Sequence, residues 1–163
     1  MICLVCNFCW GDVVVDKVSK KIRSYNMSRI SSKDTKPEQI VRFYLFSHGF
    51  RYRKNVSQLP GNPDIVLPKY NTVIFVNGCF WHMHNCSFFS MPQSRQEFWI
   101  PKLTGNKKRD ETNISSLEEL GWHIIIIWEC ELKPKIRKER LEMLLLELYS
   151  NFYADLNNQL DNL

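Results

Sequence analysis

The spacing of apolar side chains predicts a helix that begins shortly before position 40. The apolar residues of the segment 40–45 recur at helical spacing, so that they share one face. Thr35 can cap this helix, Pro37 suits its first turn, and Glu38 can complete a capping box. Gly49 can end it. We therefore expect a helix between Thr35 and Gly49.

Four segments of the chain have residue patterns typical of β-strands. The segment 50–54 alternates between apolar and polar residues, and the apolar segments 64–67 and 72–76 are joined by a short polar turn. The segment 122–128 contains four consecutive Ile residues, which is typical of a strand buried on both faces. The Pro- and Gly-rich segment 59–63 consists of residues that favour turns.

Three further helices complete the predicted order. Two cover 93–103 and 107–120, and a closing amphipathic helix carries an apolar stripe from Leu141 to Phe152. The order helix, strands, helices, strand, helix favours an α/β fold with a mixed central sheet flanked by helices. With no repeat and no linker, we expect one domain at 17–155, an N-terminal extension at 1–16 that is a candidate for disorder, and a tail at 156–163.

The distribution of charge along the chain bears on the kind of partner that the protein binds. The chain carries a net charge of +5, and the segment 17–54 holds eleven Lys or Arg residues against two acidic ones. Such a surface suits phosphate groups, although a solvated face explains it equally well. Because no apolar run could span a bilayer and no signal peptide is recognisable, we expect no membrane association and a cytoplasmic protein.

The cysteines and histidines indicate a metal site. Cys79, His84 and Cys86 fall within eight residues, and Cys130 follows the Ile-rich strand, from which it could supply a fourth ligand. Three Cys and one His would make a closed, structural Zn²⁺ site. The alternative is ordinary buried thiols and an unrelated His. A second group, Cys3, Cys6 and Cys9, also resembles part of a metal-binding pattern, but it lacks a fourth ligand.

Acidic and histidine residues supply the candidate chemistry. The predicted hairpin would bring the Asp64 carboxylate close to the backbone carbonyls near Val76, and two such oxygens suit Mg²⁺. His82 is either a rival ligand to His84 or a general base with a pKa near neutrality. Each of these residues also has a structural explanation: Asp64 as a turn residue, His82 as a buried hydrogen-bonded side chain, and Glu38 as a helix cap.

Taken together, these residues resemble the very short patch repair (Vsr) endonucleases over roughly Arg23 to Leu148. The stretches that carry the resemblance are Arg23–Met27, Leu59–Asp64, Val73–His82, Glu97–Trp99, Lys102, Asn106, Arg109–Asp110 and Leu120–Cys130. The resemblance implies a restriction-endonuclease-like core. It also implies a Mg²⁺-dependent nick on the 5′ side of the T in a T·G mismatch, where 5-methylcytosine has been deaminated.

The resemblance also implies roles for individual residues. Asp64 and the main-chain carbonyl of Val76 would bind Mg²⁺, His82 would activate water, and Glu38 would assist. The structural Zn²⁺ would be bound by Cys79, His84, Cys86 and Cys130. The residues expected to contact DNA are Met27, Phe80, Trp81, Trp99, Lys102 and Asn106. Aromatic side chains of this kind can act as wedges that unstack a weak base pair. Asn77 departs from the family, which often has a His there, and an amide cannot shuttle protons at neutral pH.

Two alternatives to a mismatch-specific nicking enzyme remain at this point. One is a site-specific endonuclease that cuts fully paired DNA with the same core. The other is a zinc-stabilised DNA-binding module that has lost catalysis. The resemblance further implies a bacterial, nucleoid-associated protein that binds double-stranded DNA. It would be functionally linked to a cytosine-5 DNA methyltransferase and to mismatch-repair proteins. We expect a monomer, since one nick needs no two-fold symmetry.

Overall fold

The computed structural model of the chain describes residues 19, 21, 22, 25 and 33–161. Met27 and the predicted extension 1–16, with its three cysteines, lie outside the described residues. Among the described helices, none is long and apolar enough to cross a membrane.

Within residues 33–161, three α-helices and a four-stranded sheet make up the fold. In chain order they are α1 (Lys36–Ser47), β1 (Arg53–Lys54), β2 (Ile65–Leu67), β3 (Thr72–Asn77), α2 (Gln96–Glu119), β4 (His123–Trp128) and α3 (Arg137–Leu160). The strands lie in the order β1-β2-β3-β4. The first two pairs are antiparallel, whereas β3 and β4 are parallel and are connected through α2. The predicted α/β fold with a mixed sheet is confirmed.

The start of α1 follows the predicted capping signal. The Thr35 hydroxyl accepts a hydrogen bond from the Glu38 N–H, and the Glu38 carboxylate accepts one from the Thr35 N–H. This capping box satisfies two backbone donors that would otherwise lack partners. After the helix ends, Gly49 has a φ of 84°, a left-handed conformation that favours glycine.

Two hydrophobic clusters lie on opposite faces of the sheet. The larger one joins the sheet to α1 and α3 through residues such as Leu45, Ile74, Ile127 and Leu144. The smaller one, Val66, Val73 and Leu117, joins the other face to α2. The inner strands β2 and β3 are therefore buried on both faces. The prediction that the Ile-rich strand is buried on both faces was wrong. Ile125 and Ile127 are buried in the larger cluster, whereas Ile124 and Ile126, on the less covered face, are only half-buried.

Three predicted boundaries also differ. The two helices expected at 93–103 and 107–120 are one helix, α2, which continues through Pro101 and Gly105. Its buried residues are Leu103, before Gly105, and Leu117, after it. Packing along the whole helix therefore outweighs the cost that Pro101 and Gly105 impose on helix formation. The strand expected at 50–54 is restricted to Arg53–Lys54, and α3 continues to Leu160, into the predicted tail.

Candidate active site and metal cluster

A cleft of about 750 Å³ opens where the carboxyl ends of β3 and β4 meet. Its lining includes most of the acidic and histidine residues that the sequence singled out, together with two further carboxylates. These residues are Glu38, Asp64, His82, Asp110 and Glu129, and Val76 and Asn77 at the end of β3 also line the cleft. Parallel strands that end side by side commonly form such sites, since the loops that follow them diverge there.

Asp64 enters the cleft immediately before β2. Its Oδ2 accepts a hydrogen bond of 2.8 Å from the Val76 N–H. The hairpin thus brings Asp64 and Val76 together as predicted, but the contact in the structure is made by the backbone amide. Burial raises the Asp64 pKa to about 6, and the nearby Glu38 also raises it. The Val76 N–H and the charges of Arg42 and His82 act in the opposite direction.

His82 is oriented by a carboxylate from α2. The distance between His82 Nδ1 and Asp110 Oδ2 is 2.5 Å. With the Nδ1 proton directed to Asp110, Nε2 is the ring nitrogen left to exchange a proton in the cleft. Asp110 belongs to the Arg109–Asp110 stretch of the family resemblance, but no role was predicted for it. A signal was available, since Asp110 follows Asn106 by four residues and the two therefore share a helix face.

Glu38 combines its capping role with an ion pair. Its Oε2 lies 2.9 Å from Nη2 of Arg42, four residues further along α1, and both side chains are buried. The Thr35 hydroxyl donates a further hydrogen bond of 2.8 Å to Glu38 Oε1. The helix-cap explanation and the placement in the cleft are therefore both correct for this residue.

The four predicted metal ligands converge on one point beside the cleft. One ligand atom from each of Cys79, His84, Cys86 and Cys130 lies within 4.8 Å of the others. The His84 ring stacks on Trp128 with a centroid distance of 4.0 Å and an interplanar angle of 3°. Three sulfurs and one imidazole at such distances match the donor set of a tetrahedral site.

The protonation of these thiols points the same way. Burial raises the pKa of Cys79, and burial with the neighbouring thiols raises that of Cys130 to about 12. Against its desolvation, hydrogen bonds from the backbone and from the other two thiols lower the pKa of Cys86, so that without a cation the thiols most resistant to ionisation are Cys79 and Cys130. A bound divalent cation deprotonates its thiol ligands, so metal binding would favour the observed convergence.

Three predicted DNA-contacting aromatics form one cluster at the rim of the cleft. The ring centroid of Phe80 lies 5.2 Å from that of Trp81 and 5.4 Å from that of Trp99. Lys102 Nζ lies 5.6 Å from the Trp81 ring centroid, and the Asn106 side chain donates a hydrogen bond of 3.0 Å to the Trp81 carbonyl. All three rings are half-buried, so they remain partly accessible to a ligand.

Comparison with known proteins agrees with this arrangement. The family model "DNA mismatch endonuclease Vsr" matches residues 15–88. The chain is 51% identical over 127 residues to the type II nicking enzyme V.NmeAIP of Neisseria meningitidis, covering 77% of this chain and 91% of that protein. It is 43% identical over 122 residues to the DNA mismatch endonuclease Vsr of Escherichia coli, covering 75% and 78% respectively.

A third relative is the type II nicking enzyme V.XorIIP of Xanthomonas oryzae. It is 43% identical over 119 residues, which cover 73% of this chain and 88% of the relative. This chain belongs to the Vsr family. It is therefore a DNA endonuclease that acts on mismatched DNA, and it binds DNA. As a Vsr-family enzyme it is metal-dependent, and its cysteine cluster could hold a metal ion.

Proposed function

We propose that this Vsr-family enzyme makes a Mg²⁺-dependent nick on the 5′ side of the T in T·G mismatches that arise by deamination of 5-methylcytosine. The observation that carries this proposal is the position of the Asp64–Val76 and His82–Asp110 pairs in one cleft, beside an aromatic cluster. A restriction-endonuclease-like core agrees with the mixed sheet and its parallel β3–β4 pair.

Asp64 and Val76 are suitable residues for holding Mg²⁺. Mg²⁺ binds oxygen ligands, uses few protein groups, and keeps waters and phosphate oxygens in its remaining positions. Only Oδ2 of Asp64 is hydrogen-bonded to a described residue, so Oδ1 is available to a cation. When bound, Mg²⁺ would supply charge stabilisation to the phosphate that is attacked. Glu38 adds a second negative charge to the same cleft.

His82 is the proposed general base. Its Nε2 would accept a proton from the attacking water, while Asp110 holds the ring and stabilises the imidazolium that forms. Asn77 also lines the cleft, where its amide can hydrogen-bond a phosphate oxygen or water. In this proposal His82 is the one base that the reaction needs, and Asn77 positions the phosphate or the water.

The aromatic cluster is the proposed mismatch sensor. Phe80, Trp81 and Trp99 would insert beside the T·G pair, whose weak stacking lowers the cost of separating it from its neighbour. Lys102 and Asn106, on the adjacent face of α2, would contact base edges. Met27 is proposed to press on the same base pair from the other groove.

We infer that the cysteine cluster holds one structural Zn²⁺. Four protein ligands leave no position for water, so this ion would take no part in hydrolysis. It would instead hold the irregular segment between β3 and α2, which carries Phe80, Trp81 and His82. Correct placement of the base and the wedge would then depend on the metal.

We further propose that the enzyme works as a monomer on chromosomal DNA in the bacterial cytoplasm. A T·G mismatch produced by deamination implies a cytosine-5 DNA methyltransferase with the same target. A nick must be processed further, which implies a functional link to mismatch-repair proteins. These partners follow from the proposed substrate.

The deciding experiment compares two sets of end-labelled duplexes, one with a T·G mismatch in varied contexts and one fully paired. With Mg²⁺, we expect a single nick beside the T in the mismatched set only. Asp64→Asn should lower the cutting rate by about 10³-fold or more while DNA binding is kept. Equal cutting of both sets would instead identify an endonuclease for paired DNA.

The controls separate chemistry from recognition. EDTA should abolish the nick and excess Mg²⁺ should restore it. A C·G duplex of the same sequence tests whether the mismatch itself is read. Undiminished cutting by Asp64→Asn would contradict the assignment of this residue.

A further inference from the structure

Arg42 has an unusual position for a charged side chain. It is 5% exposed and lies on α1, behind the wall of the cleft that Glu38 and Asp64 form. Arg42 and Glu38 are the two charged residues that the described part of the chain buries fully. Since ionised side chains are rarely buried without a specific partner, the contacts of Arg42 require an explanation.

The guanidinium joins three segments of the chain. Its Nη1 pairs with Asp34, before α1. Its Nη2 lies 2.9 Å from Glu38 Oε2, 3.3 Å from the side-chain oxygen of Asn55 and 3.1 Å from the main-chain carbonyl of Asp64. Arg42 is thus a direct link between α1 and the two strands that lead into the cleft.

Asp64 is consequently held at both ends. Its carbonyl oxygen accepts hydrogen bonds from Arg42 and from the Asn55 N–H, the latter at 3.3 Å. Its carboxylate is bound by the Val76 N–H. Arg42 and the Asn55 N–H therefore hold the backbone from which the carboxylate projects, and the Val76 N–H of β3 holds the carboxylate itself.

Stability is a poor explanation for this arrangement. A buried ion pair recovers little beyond the cost of removing its charges from water, and apolar residues of similar volume often serve the fold equally well. The Nε of Arg42 is, moreover, buried without a hydrogen-bond partner among the described residues. Such a residue is better explained by what it positions.

We propose that Arg42 is a positioning residue of the active site, which holds Asp64 and Glu38 at a fixed separation for binding the catalytic cation. The proposal rests on the proposed role of Asp64. It makes Arg42 necessary for the rate and for the use of Mg²⁺, although Arg42 touches neither DNA nor the reacting atoms. A displacement of about 1 Å in such a site can cost about 10²-fold in rate.

The test measures single-turnover nicking of a T·G duplex by Arg42→Met over a range of Mg²⁺ concentrations. We expect the maximal rate to fall about 10- to 100-fold and the half-saturating Mg²⁺ concentration to rise about fivefold or more. Binding of the same duplex without Mg²⁺ should stay within about twofold. Arg42→Lys, which keeps the charge but not the forked geometry, should recover part of the rate.

Arg140→Met is the matched control. Arg140 is also largely buried, and it pairs with Glu131 and Glu147 and donates to the Ile126 carbonyl. Its removal should lower stability comparably and leave the Mg²⁺ dependence unchanged. If Arg42→Met matched the wild type, or if Arg140→Met showed the same defect, the positioning role would be wrong.

The Asp64→Asn variant distinguishes this failure from failure of the proposed function. If the wild type needs Mg²⁺ and Asp64 but not Arg42, only the inference about Arg42 fails. If Asp64→Asn still cuts, the proposed metal site itself fails. Should Arg42→Met not fold, the same rate and Mg²⁺ measurements on Arg42→Lys decide the matter, with wild-type behaviour contradicting the proposal.

Discussion

The carboxylate cleft and the cysteine cluster lie side by side, yet they are organised in opposite ways. In the cleft, the important groups have protein partners: Asp64 with the Val76 amide, His82 with Asp110, and Glu38 with Arg42. In the cluster, the four side chains converge on one another. The cleft is therefore preorganised by contacts within the fold, whereas the proposed Zn²⁺ would hold the cluster together.

Substitutions in the two regions should therefore have different main effects, on the reaction in the cleft and on the stability of the fold in the cluster. Changing His82 or Asp110 should alter the reaction and leave the fold nearly intact, because both side chains are partly exposed and water can replace a lost partner. Changing a cluster residue should lower the stability first and the activity as a consequence. The predictions below test that division, from the largest expected effect to the smallest.

The largest effect should come from removing one cluster ligand. In Cys130→Ser, we expect the loss of one equivalent of Zn²⁺ and a decrease in the free energy of unfolding on the order of 5 kcal/mol, because binding of a structural metal contributes directly to folding. Metal analysis and denaturant unfolding measure the two quantities. Asn85→Ala, an exposed change in the same loop, is the control and should keep its zinc. A metal-free wild type with unchanged stability would remove the distinction between the two regions.

The next effect concerns the His82–Asp110 pair. His82→Gln should lower the nicking rate by about 10² to 10⁴-fold, the usual contribution of a general base. Asp110→Asn should cost about 10- to 100-fold, because it disturbs only the orientation and basicity of the ring. Single-turnover rates measure both, and thermal unfolding should show that each variant stays folded. If Asp110→Asn lost its zinc as well, the two regions would not be independent.

The smallest effect is a gain in stability. The fold raises the Asp64 pKa from 3.8 to about 6, so between these values the native state binds more protons than the unfolded state. Stability therefore falls as the pH rises through this window, and the loss is complete above about pH 7. In Mg²⁺-free buffer, Asp64→Asn should be more stable than the wild type by about 1 to 3 kcal/mol at neutral pH.

The pH dependence provides the check on that gain. At about pH 4, where Asp64 is mostly protonated in the native state, the two proteins should have equal free energies of unfolding. Denaturant titrations at the two pH values measure the difference. An Asp64→Asn variant that is equally stable at both would show that the cleft imposes no cost on its carboxylate.

Much of this arrangement could be predicted from local pattern. The capping box at Thr35 and Glu38 involves residues three positions apart, and the hairpin that brings Asp64 to Val76 is short. In both cases, a turn or helix of regular geometry determines the distance. The cluster of Cys79, His84 and Cys86 was accessible for the same reason, since its ligands lie in one short segment.

Contacts across the fold were harder to foresee. Asp110 meets His82 because α2 crosses from β3 to β4 and passes the cleft at that residue. Arg42 reaches the Asp64 carbonyl because α1 packs against the sheet. The Arg42 contact leaves no periodic signal in the sequence. The uninterrupted course of α2 through Pro101 was missed because local propensity opposes it.

The sequence by itself determined the composition of the two sites and the family to which the chain belongs, since short-range spacing and specific motifs are properties of the linear chain. Only the tertiary structure decided which groups are paired, how far each is buried and which ring nitrogen of His82 remains available. Those properties depend on the packing of distant elements, and burial and pairing set the charge state of a side chain. The chemistry of the cleft is therefore a property of the folded molecule.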